Sequence, residues 1–126
     1  MTIKDCLELF KTSAISDNNK EIIAFLGLKE ESAELKLIKN RSPDPQNYFA
    51  VDPLEFLEFK SNYLFLAVLH SHIYGDSQFS AFDEATSENC CLPFVVYSVP
   101  EGKFALYVPE SNELDSVNLS RLKDAL

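Results

Sequence analysis

The sequence predicts one small domain of the α/β or α+β class, built round a mixed sheet. Three observations lead there. The chain has 126 residues, 46 % apolar and 25 % charged, an ordinary composition for one globular unit with its own core. "YLFLAVL" (Tyr63 to Leu69) is a continuous apolar run beside a breaker-rich loop, as expected of a central strand buried on both faces. Strand-like and helix-like segments mingle without strict alternation, repeats or low-complexity stretches.

Taken in order, Ile3, Cys6, Leu7 and Phe10 recur at helical spacing behind Thr2, predicting a helix over 3–14 with Thr2 as its N-cap. After the polar break "SDNN", "EIIAFLGLK" (21–29) reads as a largely buried strand. "EES" then turns the chain into "AELKLIKN", an alternating hairpin partner. "NRSPDPQN" (40–47) is loop chemistry, and "YFAV" (48–51) a short strand. Asp52 with Pro53 opens a helix through about Asn62, with Leu54, Phe56 and Leu57 expected toward the core. The central strand and the loop "SHIYGDSQF" follow. Ser80 can cap a helix over Ala81 to Asn89. "PFVVYSV", "PEGK" and "FALYVP" read as strand, turn and strand, and "SVNLSRLKDAL" as a closing amphipathic helix.

The formal net charge of −9 disfavours nucleic acid and anionic membrane surfaces as partners. Cys6, Cys90 and Cys91 are odd in number, two are adjacent, and no C-x-x-C spacing exists, so reduced thiols in a cytoplasmic protein are expected. The first residues lack the apolar stretch of a signal peptide.

Both histidines of the chain stand together, as His70-Ser71-His72 at the end of the central strand. Side chains i and i+2 on a strand share a face, roughly 6.6 Å apart along the backbone, so two imidazoles can converge on one ion. Ser80 and Asp83 are i and i+3 on the next helix, so they share a face too. If that helix folds back, Asp83 becomes a third ligand and a fourth position stays open to water, the pattern of a catalytic site. Each residue also has a plain structural reading: strand-end histidines bonded to carbonyls, Ser80 as an N-cap, Asp83 as a first-turn carboxylate.

His-Ser-His, seven residues, Ser, two residues, Asp resembles the signature of the JAMM (MPN+) zinc metalloprotease family. The family also carries an upstream glutamate on an early strand, and Glu21 stands at the matching place, with Ala24 where relatives have glycine. Glu30 and Glu31 are rivals that fall in a predicted turn. The likeness runs from about Cys6 to Pro109. It is strongest over Asn40 to Val99, and similar to the prokaryotic branch that includes N-terminal domains of phage tail-assembly peptidases. Ile73 and Phe79 replace prolines common in relatives, and neither position supplies a ligand.

The resemblance implies a single JAMM/MPN+ domain over 1–126, an α/β fold whose curved mixed sheet is flanked by helices in a cytidine deaminase-like architecture. It implies one catalytic zinc on His70, His72 and Asp83, with Glu21 as general base and Ser80 as donor to the oxyanion. Alone, Glu21 reads as an exposed strand-start residue paired with Lys20 or Lys29. The implied substrate is the bond after the C-terminal Gly-Gly of a ubiquitin-like protein, with "SPDPQNYF" as one wall of the groove. A bacterial or phage-encoded modifier is expected rather than one polyubiquitin linkage. Two alternatives stand beside this reading. One is a phage or prophage tail-assembly peptidase, disfavoured because no second domain follows. The other is a catalytically dead MPN scaffold, disfavoured because all the expected ligands are present.

Overall fold

Ile3, Cys6, Leu7, Phe10 and Ala14 fall on one face of a helix, and all are buried. That helix, α1, spans Ile3–Ser16 in the computed structural model, which describes all 126 residues. Thr2 caps it: its hydroxyl accepts from the Asp5 amide and the Asp5 carboxylate accepts from the Thr2 amide, each at 3.0 Å. There follow β1 (Ile23–Lys29), β2 (Ser32–Ile38), α2 (Pro53–Asn62), β3 (Leu64–His72), α3 (Ala81–Cys90), β4 (Phe94–Ser98), β5 (Lys103–Tyr107) and α4 (Ser116–Ala125). No helix is long and apolar enough to cross a membrane.

The strands form one open sheet of order β2-β1-β3-β4-β5. β3 and β4 are parallel, joined through α3, and every other pairing is antiparallel. β3 is central, and Phe65 to Ser71 are all buried, as its unbroken apolar run predicts. Strand alternation, broken once in β3 where Leu66 falls at the register shift, divides the core in two. Ala24, Leu26, Leu28, Leu66 and Leu69 pack with α1 and α4, whereas Ile23, Phe25, Phe65 and Val68 pack with Phe59 of α2, Phe49 and Phe94. The second face is aromatic, with Phe25 lying 5.0 to 5.8 Å from the rings of Phe56, Phe59 and Phe65. A register shift at Leu26/Gly27 accompanies close approach there, since a Cβ on Gly27 would meet the Phe59 ring at 2.8 Å.

Two expectations are corrected. "YFAV" is not a strand. Its backbone is tied instead by the Asn40 carboxamide, which donates to the Tyr48 carbonyl and accepts from the Ala50 amide, so the segment never joins the ladder. In α2, Leu54 and Leu57 point to solvent and Phe59 is the buried residue, with Phe56 half-buried. The aromatic side chains reach the sheet and leave the leucines on the outer face.

The β1–β2 hairpin turns on two residues, Glu30 and Glu31, with φ of 52° and 68°. A two-residue turn with both φ positive favours Asn-Gly, and glutamate pays a steric cost in that region. Replacing Glu30-Glu31 by Asn-Gly is expected to stabilise the fold by about 1 kcal/mol, raising Tm by a few degrees in a thermal melt. Both glutamates are exposed in this turn and do not join the site residues described below.

Candidate metal centre

His70 and His72 end β3 on the aromatic face of the sheet, their ring centroids 5.1 Å apart. His70 is fully buried. Phe49 stacks on it at 4.6 Å, and Phe79 and Phe94 present edges near 6 Å. α3 folds back over this strand end. Its N-cap, Ser80, and Asp83 form a capping box in which the Ser80 hydroxyl accepts from the Asp83 amide and Asp83 Oδ2 accepts from the Ser80 amide, each at 3.1 Å. The same Oδ2 lies 3.3 Å from His72 Nε2 and 3.5 Å from His70 Nε2. The helix cap therefore aims a carboxylate oxygen between two imidazoles.

His72 Nδ1 lies 3.0 Å from the Asp76 carbonyl oxygen. A carbonyl only accepts, so Nδ1 carries the hydrogen and a neutral His72 turns its Nε2 lone pair toward Asp83. A lone pair and a carboxylate oxygen repel each other, and a proton or a cation between them removes that repulsion. Neither ring nitrogen of His70 has a hydrogen-bond partner, although both are buried. For an ion with four ligands at ~2.0–2.1 Å, the ligand atoms sit about 3.3–3.4 Å from one another. The two carboxylate–imidazole separations match that spacing.

Glu21 completes the cluster. Its carboxylate and the two imidazoles offer ligand atoms all within 4.8 Å of one another, so Glu21, His70 and His72 could hold a metal ion. Glu21 precedes β1, is only 5 % exposed, and pairs with neither nearby lysine; Lys20 pairs with Asp17. Its own amide donates to the Pro45 carbonyl, and its carbonyl accepts from the Asn40 carboxamide at 2.9 Å. The next amide, of Ile22, donates to Ser71 Oγ at 2.9 Å. Ser71, between the two histidines, thus fastens the Glu21 segment to the strand that carries them.

Burial lowers the pKa of His70, keeping it the neutral imidazole that ligates metals. For His72 burial acts in the same direction, but the Asp83 and Asp76 hydrogen bonds and the Glu21 charge outweigh it and raise the pKa. Burial opposes ionisation of Asp83, yet the two imidazoles beside it and the hydrogen bond from the Ser80 amide hold its carboxyl well below the ordinary range. Burial pushes Glu21 from 4.5 up to about 7, with the His72 charge opposing and those of Asp83 and Asp44 assisting.

A measurable consequence follows for the metal-free protein. Between pH 4.5 and about 7 the unfolded chain has released the Glu21 proton while the folded protein retains it, so this group's contribution to stability falls as pH rises through that window. Glu21→Gln lacks the penalty. Denaturant titrations should find the variant no more stable than wild type below pH 4.5 and more stable above pH 7, by on the order of 2 kcal/mol after solvent screening.

A cleft of about 390 Å³ opens on this cluster, lined by Glu21, His72, Ser80, Asp83, the loop residues Asp44, Gln46, Asn47 and Tyr48, and Tyr74. The five site residues proposed from sequence are therefore brought together, and the segment expected to wall a groove does line the cleft. A separate apolar groove of about 450 Å³ includes Phe49, Phe56, Phe82 and Phe94. Sequence reasoning gave no role to Ser71 or Asn40, and placed Phe49 only within the groove-wall segment, not against His70.

No protein-family model matches the chain, and no curated protein matches it. Among solved structures, the solution structure of protein DSY2949 from Desulfitobacterium hafniense superposes with a TM-score of 0.59 at 20 % identity, covering 81 % of this chain and 77 % of that one. At that identity the likeness extends to the fold alone. Fold and site together define a small α/β domain carrying a buried His–His–carboxylate cluster that could hold a metal ion.

Proposed function

We propose that this chain is a zinc-dependent metallo-isopeptidase of the JAMM type, which hydrolyses the bond after the C-terminal Gly-Gly of a ubiquitin-like protein. One observation carries the reading: the Asp83 oxygen lies 3.3 and 3.5 Å from two imidazole nitrogens, and a second buried carboxylate, Glu21, has a ligand atom within 4.8 Å of both imidazoles. Two imidazoles and carboxylates suit zinc, and His70, His72 and Asp83 would hold it. When bound, zinc supplies Lewis acidity, polarising a water and the scissile carbonyl.

The protein's own groups supply the rest. Glu21, a buried carboxylate beside the imidazoles, takes the proton of the attacking water and passes it to the leaving amine. Its anchoring to Pro45, Asn40 and, through Ile22, Ser71 holds it at the cleft floor. The Ser80 hydroxyl accepts from the Asp83 amide and keeps its own hydrogen free to donate to the developing oxyanion. The loop from Asp44 to Tyr48 forms one wall for a narrow extended tail, and the neighbouring apolar groove suits an apolar side chain upstream of the glycines.

The test is a ubiquitin-like protein whose Gly-Gly terminus is linked through an amide to a fluorescent reporter, offered to the zinc-loaded enzyme. Release of the reporter after the second glycine supports the proposal. A zinc-loaded protein that leaves both peptide- and isopeptide-linked reporters intact overturns it.

A further inference from the structure

The His72 tautomer depends on the Asp76 carbonyl, which lies in a loop (73–79) without helix or strand. That carbonyl stays in place because residues on both sides of Asp76 are fastened to the β4–β5 turn. On one side, the Ser77 amide donates to Glu101 Oε1 at 2.7 Å. On the other, Ser98 Oγ donates to the Gly75 carbonyl at 3.3 Å and accepts from the Glu101 amide at the same distance. Ser98 is fully buried at the end of β4, next to β3 in the sheet, where its Cα partner is His72. Glu101 thus reaches the site by a continuous path, through Ser77 to the Asp76 peptide and then to His72.

We propose that Glu101 is a positioning residue for His72, fixing which ring nitrogen faces the cleft. Its metal-binding consequence rests on the function proposed above; its effect on the tautomer does not. Glu101 Oε2 also lies 4.0 Å from the exposed Lys103 ammonium, an ion pair with no link to the loop. The two roles can be separated: Glu101→Ala removes the acceptor for Ser77, Glu101→Gln keeps an acceptor oxygen, and Lys103→Ala removes only the ion pair.

The experiment measures zinc affinity by competition with a chromophoric chelator. It also records the imidazole ¹⁵N spectrum of the metal-free protein at alkaline pH, where the ring is neutral; the chain has only two histidines. Glu101→Ala should weaken zinc binding about tenfold, the lower end of what outer supports of a metal site contribute. It should also convert His72 from the Nδ1–H tautomer to a mixture. Glu101→Gln and Lys103→Ala should stay near wild type on both readouts. The proposal is overturned if Glu101→Ala keeps a single Nδ1–H tautomer and wild-type affinity, or if Glu101→Gln fails as badly as alanine. If the wild type takes up no zinc, the metal reading falls and the imidazole spectrum alone decides this one.

Discussion

Glu21→Gln is expected to lower kcat by about 10³-fold or more while the zinc stays bound, because general-base groups contribute about 10²–10⁴ and glutamine keeps the shape but cannot take a proton. Under the proposed function this residue carries the proton, and its surroundings hold it in place. It is buried, and backbone hydrogen bonds from its own amide and to its carbonyl fix its position. Single-turnover cleavage, with zinc content measured on the same sample, checks both halves. The second half separates two assignments that the geometry brings close together, since the Glu21 carboxylate also lies within 4.8 Å of both imidazoles. If glutamine at this position empties the site, Glu21 is a ligand and the base lies elsewhere.

The complementary substitution, Asp83→Ala, should weaken zinc binding by more than about 100-fold, since even outer supports of a metal site contribute 10–100-fold. It also removes the acceptor for the Ser80 amide, costing about 1 kcal/mol at the start of α3. The metal-free variants should therefore diverge. Glu21→Gln gains stability at neutral pH, because a carboxyl with a raised pKa is lost. Asp83→Ala loses stability, because a carboxylate whose depressed pKa reports favourable contacts with His70, His72 and Ser80 is lost. Chelator competition and denaturant titration of both variants measure these four quantities. Similar zinc affinity in Asp83→Ala and wild type would remove Asp83 from the ligand set.

Local signals carried much of the fold and site. Apolar spacing with a Thr2 cap gave α1, and an unbroken apolar run gave the central strand. The Ser80–Asp83 spacing that suggested a ligand also caps α3, so one local motif both starts the helix and aims the carboxylate. What sequence did not reveal depends on distant partners. Ser71 meets Ile22 across 49 positions, Asn40 meets Glu21 across 19, and Glu101 meets Ser77 across 24. Each looks like an ordinary strand or turn residue until the sheet brings its partner near. "YFAV" has strand-like composition, but the Asn40 carboxamide meets backbone groups that a ladder would otherwise pair. Leu54 and Leu57 are apolar and so predict an inward face, whereas Phe59 reaches the core and leaves them exposed.

The most direct test of the central claim is the zinc content of the untagged protein, purified without added metal, beside His72→Ala prepared identically. About one zinc per wild-type chain and none in the variant is the predicted result, as expected for a ligand set of His70, His72 and Asp83. A wild-type protein that holds no zinc and takes none up would contradict it, leaving the histidines and carboxylates a hydrogen-bonded cluster without metal chemistry.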